Sequence, residues 1–168
     1  RLEVKDGRSR LDSIVSSIMD SFDFIQENID MVLVQGDTTS AFAVALSAFH
    51  HRIPVVHLEA GLRTYNLTQP YPEEANRQMI SRLAHVHLCP TLLAARRLSA
   101  EKVPGMIEVV GNTVLDNLVN VKTSLEKKVL VTMHRRENHE NMREWFLAID
   151  ALAANHADYE FLLPIHPN

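Results

Sequence analysis

Residues 31–49 read Met31-Val-Leu-Val-Gln-Gly-Asp-Thr-Thr-Ser-Ala-Phe-Ala-Val-Ala-Leu-Ser-Ala-Phe49. Met31 to Val34 is a short apolar run of the kind that suits a strand buried on both faces. Gly36-Asp37-Thr38-Thr39 breaks the run with residues that favour turns and helix caps. Ser40 to Phe49 is apolar again and reads as a helix. A strand that feeds through a polar turn into a helix is the first half of a parallel β–α–β unit.

The same order continues in both directions. Ile53 to Leu58 reads as a second strand, with Pro54 tolerable near its start. A loop from Glu59 to Pro72 follows, holding Gly61, Pro70 and Pro72. Glu73 to Leu83 is expected to be helical, with Pro72 suited to its entry. Val86–Cys89 and Ile107–Val110 read as strands, Thr91–Ala100 as a helix and Thr113–Val121 as a short one. Upstream, Leu11, Ile14, Val15, Ile18, Met19, Phe22 and Ile25 recur at helical spacing. Ser9, three places before Asp12, suits the start of that helix. Downstream, Lys122 to Lys127 is polar and charged. Lys128–Thr132 then begins a new strand, and Met142, Trp145, Phe146, Ile149, Leu152 and Ala153 form another helical stripe. Phe161–Ile165 is the last strand. This alternation predicts an α/β fold with parallel sheets and helices on both faces. The polar segment divides the chain into 1–121, a linker at 122–127 and a second unit at 128–168.

With 168 residues, 46% of them hydrophobic and 23% charged, the chain is expected to be globular: one domain or pieces of two. Its net charge of −4 argues against a nucleic-acid or acidic-membrane partner. Cys89 is the one cysteine, so no internal disulfide forms, and a reduced, cytoplasmic setting is the simplest reading. The N-terminal residues carry no apolar signal core, and no segment is long enough to span a bilayer. The sequence starts without Met and stops at Pro167-Asn168 just after a strand-like run, so both ends are expected to be cuts inside a larger protein.

Polar residues collect after the strands. Gly36-Asp37-Thr38-Thr39 follows the first, Glu59-Ala-Gly-Leu-Arg63 the second, Met133-His134-Arg135-Arg136-Glu137-Asn138 the first strand of the second part, and His166-Pro-Asn168 the last. Open parallel sheets bind ligands at the carboxyl ends of their strands. Each cluster also has a plainer reading. Asp37 or Thr38 suits a helix cap. Glu73 and Glu74 both lie where acidic residues favour the helix dipole, an explanation that covers one of them without needing both. His134 to Arg136 suits a solvated basic patch, although the helix start expected just after it favours phosphate. A lone His166 is more often a satisfied core histidine. Nine histidines invite a metal reading, but no HExxH or paired CxxC spacing occurs, and no metal is expected. GxGxxG, GxSxG and Walker A patterns are absent too.

Val34-Gln-Gly-Asp-Thr-Thr39, His57-Leu-Glu-Ala-Gly-Leu-Arg-Thr64 and Pro70-Tyr-Pro-Glu-Glu-Ala-Asn-Arg77 resemble the non-hydrolysing UDP-N-acetylglucosamine (UDP-GlcNAc) 2-epimerase family. Gly111-Asn-Thr-Val-Leu-Asp116, His134-Arg-Arg-Glu-Asn138 and Pro164-Ile-His-Pro-Asn168 extend the match in the same order. The resemblance covers nearly everything after about Asp30. It implies the fold of nucleotide-sugar glycosyltransferases (GT-B type), with two Rossmann-like domains facing across a cleft. It also implies interconversion of UDP-GlcNAc and UDP-N-acetylmannosamine (UDP-ManNAc) by loss and re-addition of UDP through a bound glycal, with no cofactor, in a protein that is usually a dimer. Asp37, Glu59 and Glu73 would be the catalytic carboxylates. His134 and Arg135 would serve the UDP part, His166 would lie near the nucleotide, and Arg63 would bind substrate or tether a carboxylate. Which carboxylate acts on which face of the sugar stays open. The family opens with a Gly-Thr-Arg-Pro-Glu-type loop and continues later with Ser-Gly-Gly and Glu-Glu motifs; the resemblance implies that this sequence starts after the first and stops before the others. The chain alone is therefore expected to be inactive. The competing readings are a related diacetamido-uronate or hydrolysing 2-epimerase, and a non-catalytic nucleotide-sugar binding module.

Overall fold

The computed structural model describes residues 9–22, 29–133 and 142–164. The backbone forms two compact units, divided between Val119 and Asn120. In the first unit the elements run α1 (Arg10–Phe22), β1 (Val32–Gln35), α2 (Thr39–His50), β2 (Val55–Leu58), α3 (Glu73–Leu83), β3 (Val86–Cys89), α4 (Leu92–Ala100) and β4 (Met106–Val109). A 3-10 helix, Thr113–Leu118, closes the unit.

The four strands pair in the order β1-β2-β3-β4, all parallel. Register places Val34 beside His57 and His57 beside His87. Alternation then puts Val34, Val55, His57, His87 and Cys89 on one face of the sheet. That face is buried under helices. Val34 and Val55 pack with Ala41, Ala45 and Ala48 of α2 and Ile80 of α3. Cys89 packs with Ala94 and Leu98 of α4. The alanine-rich face of α2 lets it sit between α1 and α3 without crowding.

The expected cover on both faces is not what the described residues show. Strands added one after another in a single direction return their connecting helices to the same side, because parallel crossovers keep one hand. The opposite face carries Leu33 and Met106, both more than half exposed.

Local signals set the element ends. The Asp12 N–H donates to Ser9 Oγ at 3.1 Å, so the helix starts where its cap was read. Thr38 and Thr91 cap α2 and α4 through the N–H groups of Ala41 and Ala94. The short helix expected over Thr113–Val121 is instead six residues of 3-10 geometry, too short for two α turns, with Asn112 accepting from the Val114 N–H.

The second unit contains β5 (Lys128–Leu130), α5 (Met142–Asn155) and β6 (Glu160–Leu162). β5 and β6 pair in parallel, as one β–α–β step requires. Ile25, His134, Arg135 and His166 fall outside the described residues, as does the Ile165 end of the last expected strand.

Candidate functional site

β1 and β2 end side by side, and their next residues form the acidic end of the first sheet. Gly36 follows β1 with φ +69°, a conformation glycine adopts freely. Its N–H donates to Leu58 O at 3.0 Å, which ties the turn to the end of β2. His57 Nε2–H donates to Gly36 O at 2.8 Å from beneath. Because a carbonyl only accepts, this bond fixes the proton on Nε2. His57 Nδ1 is buried with no hydrogen-bond partner. Burial is the main cause that pushes the His57 pKa down to about 4, aided by nearby His87 and Arg63 and opposed by the Gly36 bond and Asp37. His87 repeats the pattern: Nε2–H donates to Pro104 O at 2.9 Å, and burial lowers its pKa. Both imidazoles are neutral struts under the site.

Glu59 is the first residue past β2. Its φ of +66° is left-handed, a strained state for a residue with a side chain and one found often at functional sites. Its Oε2 hangs over Gly36, 3.6 Å from where a Cβ there would lie. Glu59 lines a cavity of about 410 Å³ with Gln35, Asn112, Thr113, Val114 and Asn117. The Gly111–Asp116 motif thus meets the second strand's carboxyl end, and the four lining side chains other than Val114 and Glu59 are amide or hydroxyl groups.

Asp37 is not a cap. Thr38 performs that task, which leaves the Asp37 carboxylate to Arg77 of α3 through an Oδ2–Nη2 ion pair. Asn76 Nδ2 also donates to Asp37 O at 2.9 Å.

The adjacent acids of α3 have separate roles. Glu74 is fully buried and accepts from the N–H groups of Thr64 and Tyr65 at 2.9 and 3.1 Å and from Gln78 Nε2 at 2.8 Å. Burial opposes its charge, but these donors and Arg77 outweigh it and hold the carboxyl below the usual range. Glu73 has no such set: its Oε2 is buried without a hydrogen-bond partner. It lines a second cavity of about 220 Å³ with Arg10 and Thr38–Ser40.

One expectation needs correction. A substrate-binding Arg63 does not fit its surroundings. Its side chain is 0% exposed, with Nε and Nη2 on Glu101 at 2.8 and 2.9 Å, Nη2 also on Ser81 Oγ and Nη1 on Leu62 O. All three nitrogens are engaged within the scaffold, and none of the three catalytic candidates is its partner. Glu59 and Glu73 line different cavities, each bordering the 35–40 segment that carries Asp37. Residues missed as site builders are Arg77, Asn76, His57 and the Gln35–Asn112–Asn117 amides. Arg77 had a signal in the sequence, since it lies three and four places after the two glutamates on one helical face. Among the described residues, no group of three or more His, Cys, Asp or Glu side chains is arranged to hold a metal ion. No helix among them is long and apolar enough to cross a membrane.

Acidic side chains lie at the carboxyl ends of parallel strands, over a glycine turn, which is where open α/β proteins bind their ligands. The chain belongs to the UDP-N-acetylglucosamine 2-epimerase family, whose model matches residues 1–168. It is 39% identical to a UDP-N-acetylglucosamine 2-epimerase of Neisseria meningitidis over 99% of its length and 51% of the relative's. It is 42% identical to one from Salmonella borreze, covering 94% of this chain and 45% of that protein. The crystal structure of the N. meningitidis UDP-GlcNAc 2-epimerase bound to UDP-GlcNAc superposes with a TM-score of 0.83 at 39% identity, covering 98% of this chain and 50% of that one. The chain therefore spans about half the length of the curated relatives it matches.

Proposed function

We propose that this chain is the central segment of an epimerase that interconverts UDP-GlcNAc and UDP-ManNAc. The observation that carries the reading is a family match over the whole chain, with Asp37, Glu59 and Glu73 all set at the strand ends or the helix entry beside them. The proposed substrate follows from the relative solved with UDP-GlcNAc.

The reaction asks for two opposed proton transfers at carbon 2. A carboxylate removes the C2 proton, the C–H electrons become the C1–C2 double bond, and the C1–O bond breaks to release UDP as an anion. UDP oxygen then re-adds at C1, and a carboxylic acid delivers a proton to the other face of C2. Carbon 2 is not beside a carbonyl, so the step depends on leaving-group stabilisation, which we assign to His134 and Arg135. His166 is assigned to the nucleotide neighbourhood. Asp37, Glu59 and Glu73 are the acid and base candidates, and a positioned acid or base of this kind is worth about 100- to 10,000-fold in rate.

In this reading residues 1–121 belong to an N-terminal Rossmann-like domain and 128–168 open a nucleotide-binding one in a GT-B arrangement. The complete protein is a cytoplasmic homodimer. The test is an assay of UDP-GlcNAc and UDP-ManNAc by anion-exchange chromatography. The chain extended to the length of its relatives is expected to interconvert them, and residues 1–168 alone are expected to give no turnover. An extended chain that releases free ManNAc instead would replace this reading with a hydrolysing one.

A further inference from the structure

Arg77 is paired with a candidate reacting group, Asp37, and the proposed chemistry leaves it without a role. Its Nη2 pairs with Asp37 Oδ2, and its Nη1 lies 3.3 Å from Glu74 Oε2. Glu74 is 0% exposed and bound to the backbone of residues 64 and 65, so its charge is fixed in place. Arg77 is itself only 11% exposed, and its Nε is buried with no hydrogen-bond partner. Among the described residues the guanidinium is therefore oriented by these two carboxylates. Asn76 holds the Asp37 backbone from the same helix turn. Among the described residues no hydrogen bond is made to Asp37 Oδ1.

We infer that Arg77 is the positioning residue of Asp37: a rigid Glu74–Arg77–Asp37 chain engages Oδ2 and presents Oδ1 to the sugar. This deepens the epimerase reading and rests on it. The geometry favours arginine specifically. A planar fork spans two carboxylates in fixed directions, whereas a lysine ammonium is a single point that does not hold both. Glu74 also fastens the loop that carries Glu59 onward from β2, so one buried acid sets the stage for two candidate groups.

The test uses the chain extended to family length, with steady-state interconversion of UDP-GlcNAc and UDP-ManNAc. Arg77→Gln is expected to lower kcat by roughly 100-fold, the scale of a reacting group misplaced by about 1 Å. KM should change little if Arg77 acts through Asp37. Arg77→Lys keeps the charge beside Glu74 and is expected to recover part of the loss, and it carries the test if the glutamine variant does not fold. A kcat within about two-fold of wild type in the folded variants, or a rise in KM with kcat retained, overturns the inference while the epimerase reading stands. An inactive wild-type protein overturns both.

Discussion

Acidification should loosen the turn that carries Asp37, and the size of the effect follows from His57. This imidazole is fully buried, donates Nε2–H to Gly36 O, and has an unanswered Nδ1. A second proton would place a charge and an unsatisfied donor in the core, next to His87 and Arg63. The folded pKa is about 4 against 6.5 for a free histidine. A depressed histidine pKa means that the unfolded chain takes up the proton first. Stability is therefore fully present above about pH 6.5 and is lost as pH falls toward 4. Each pH unit in that window is worth about 1.4 kcal/mol, so about 2 kcal/mol is lost by pH 5 and about 3 kcal/mol by pH 4 from this group. His87, shifted the same way, adds to the loss. Urea unfolding between pH 7.5 and 4.5 measures the total, and His57→Gln removes its titrating part. A His57 ring titrating at 6 to 7 by NMR in the folded protein, or an acid limb unchanged in the glutamine variant, would refute the reasoning.

Gly61→Ala should cost about 3 kcal/mol, combining left-handed strain with overpacking, because φ is +87° and the new Cβ would lie 2.5 Å from Ala94 O; thermal unfolding checks it. Glu74→Gln should destabilise by about 3 kcal/mol, since a buried carboxylate paired with Arg77 loses its charge, and chemical denaturation measures it. Glu73→Gln in the family-length protein should leave the melting temperature nearly unchanged and lower kcat by roughly 100-fold or more. Two neighbouring glutamates would then give opposite results, one in the melt and one in the rate.

The alternation of apolar runs and polar turns made the parallel sheet legible, because strand and helix periods differ and the turn residues sat between them. Cap chemistry was legible at Ser9 and Thr38, where a hydroxyl precedes an apolar run. The glutamate pair was half legible: helix-dipole reasoning explained one residue, but only packing shows that Glu74 is the structural member. Arg63 misled because a charged residue in a polar loop looks available. Its burial against Glu101, 38 residues away, is a tertiary fact with no local signature. Asn112 and Asn117 meet Glu59 for the same long-range reason. The one-sided cover of the sheet among the described residues depends on strand order, which alternation alone does not set.

Proton exchange at the sugar tests the central idea most directly. The family-length protein, incubated with UDP-GlcNAc in D2O, is expected to place deuterium at C2 of the product. Amide substitutions at Asp37, Glu59 and Glu73 are each expected to slow that wash-in. Epimerised product that keeps its original C2 hydrogen, or deuterium uptake indifferent to all three substitutions, would contradict the account.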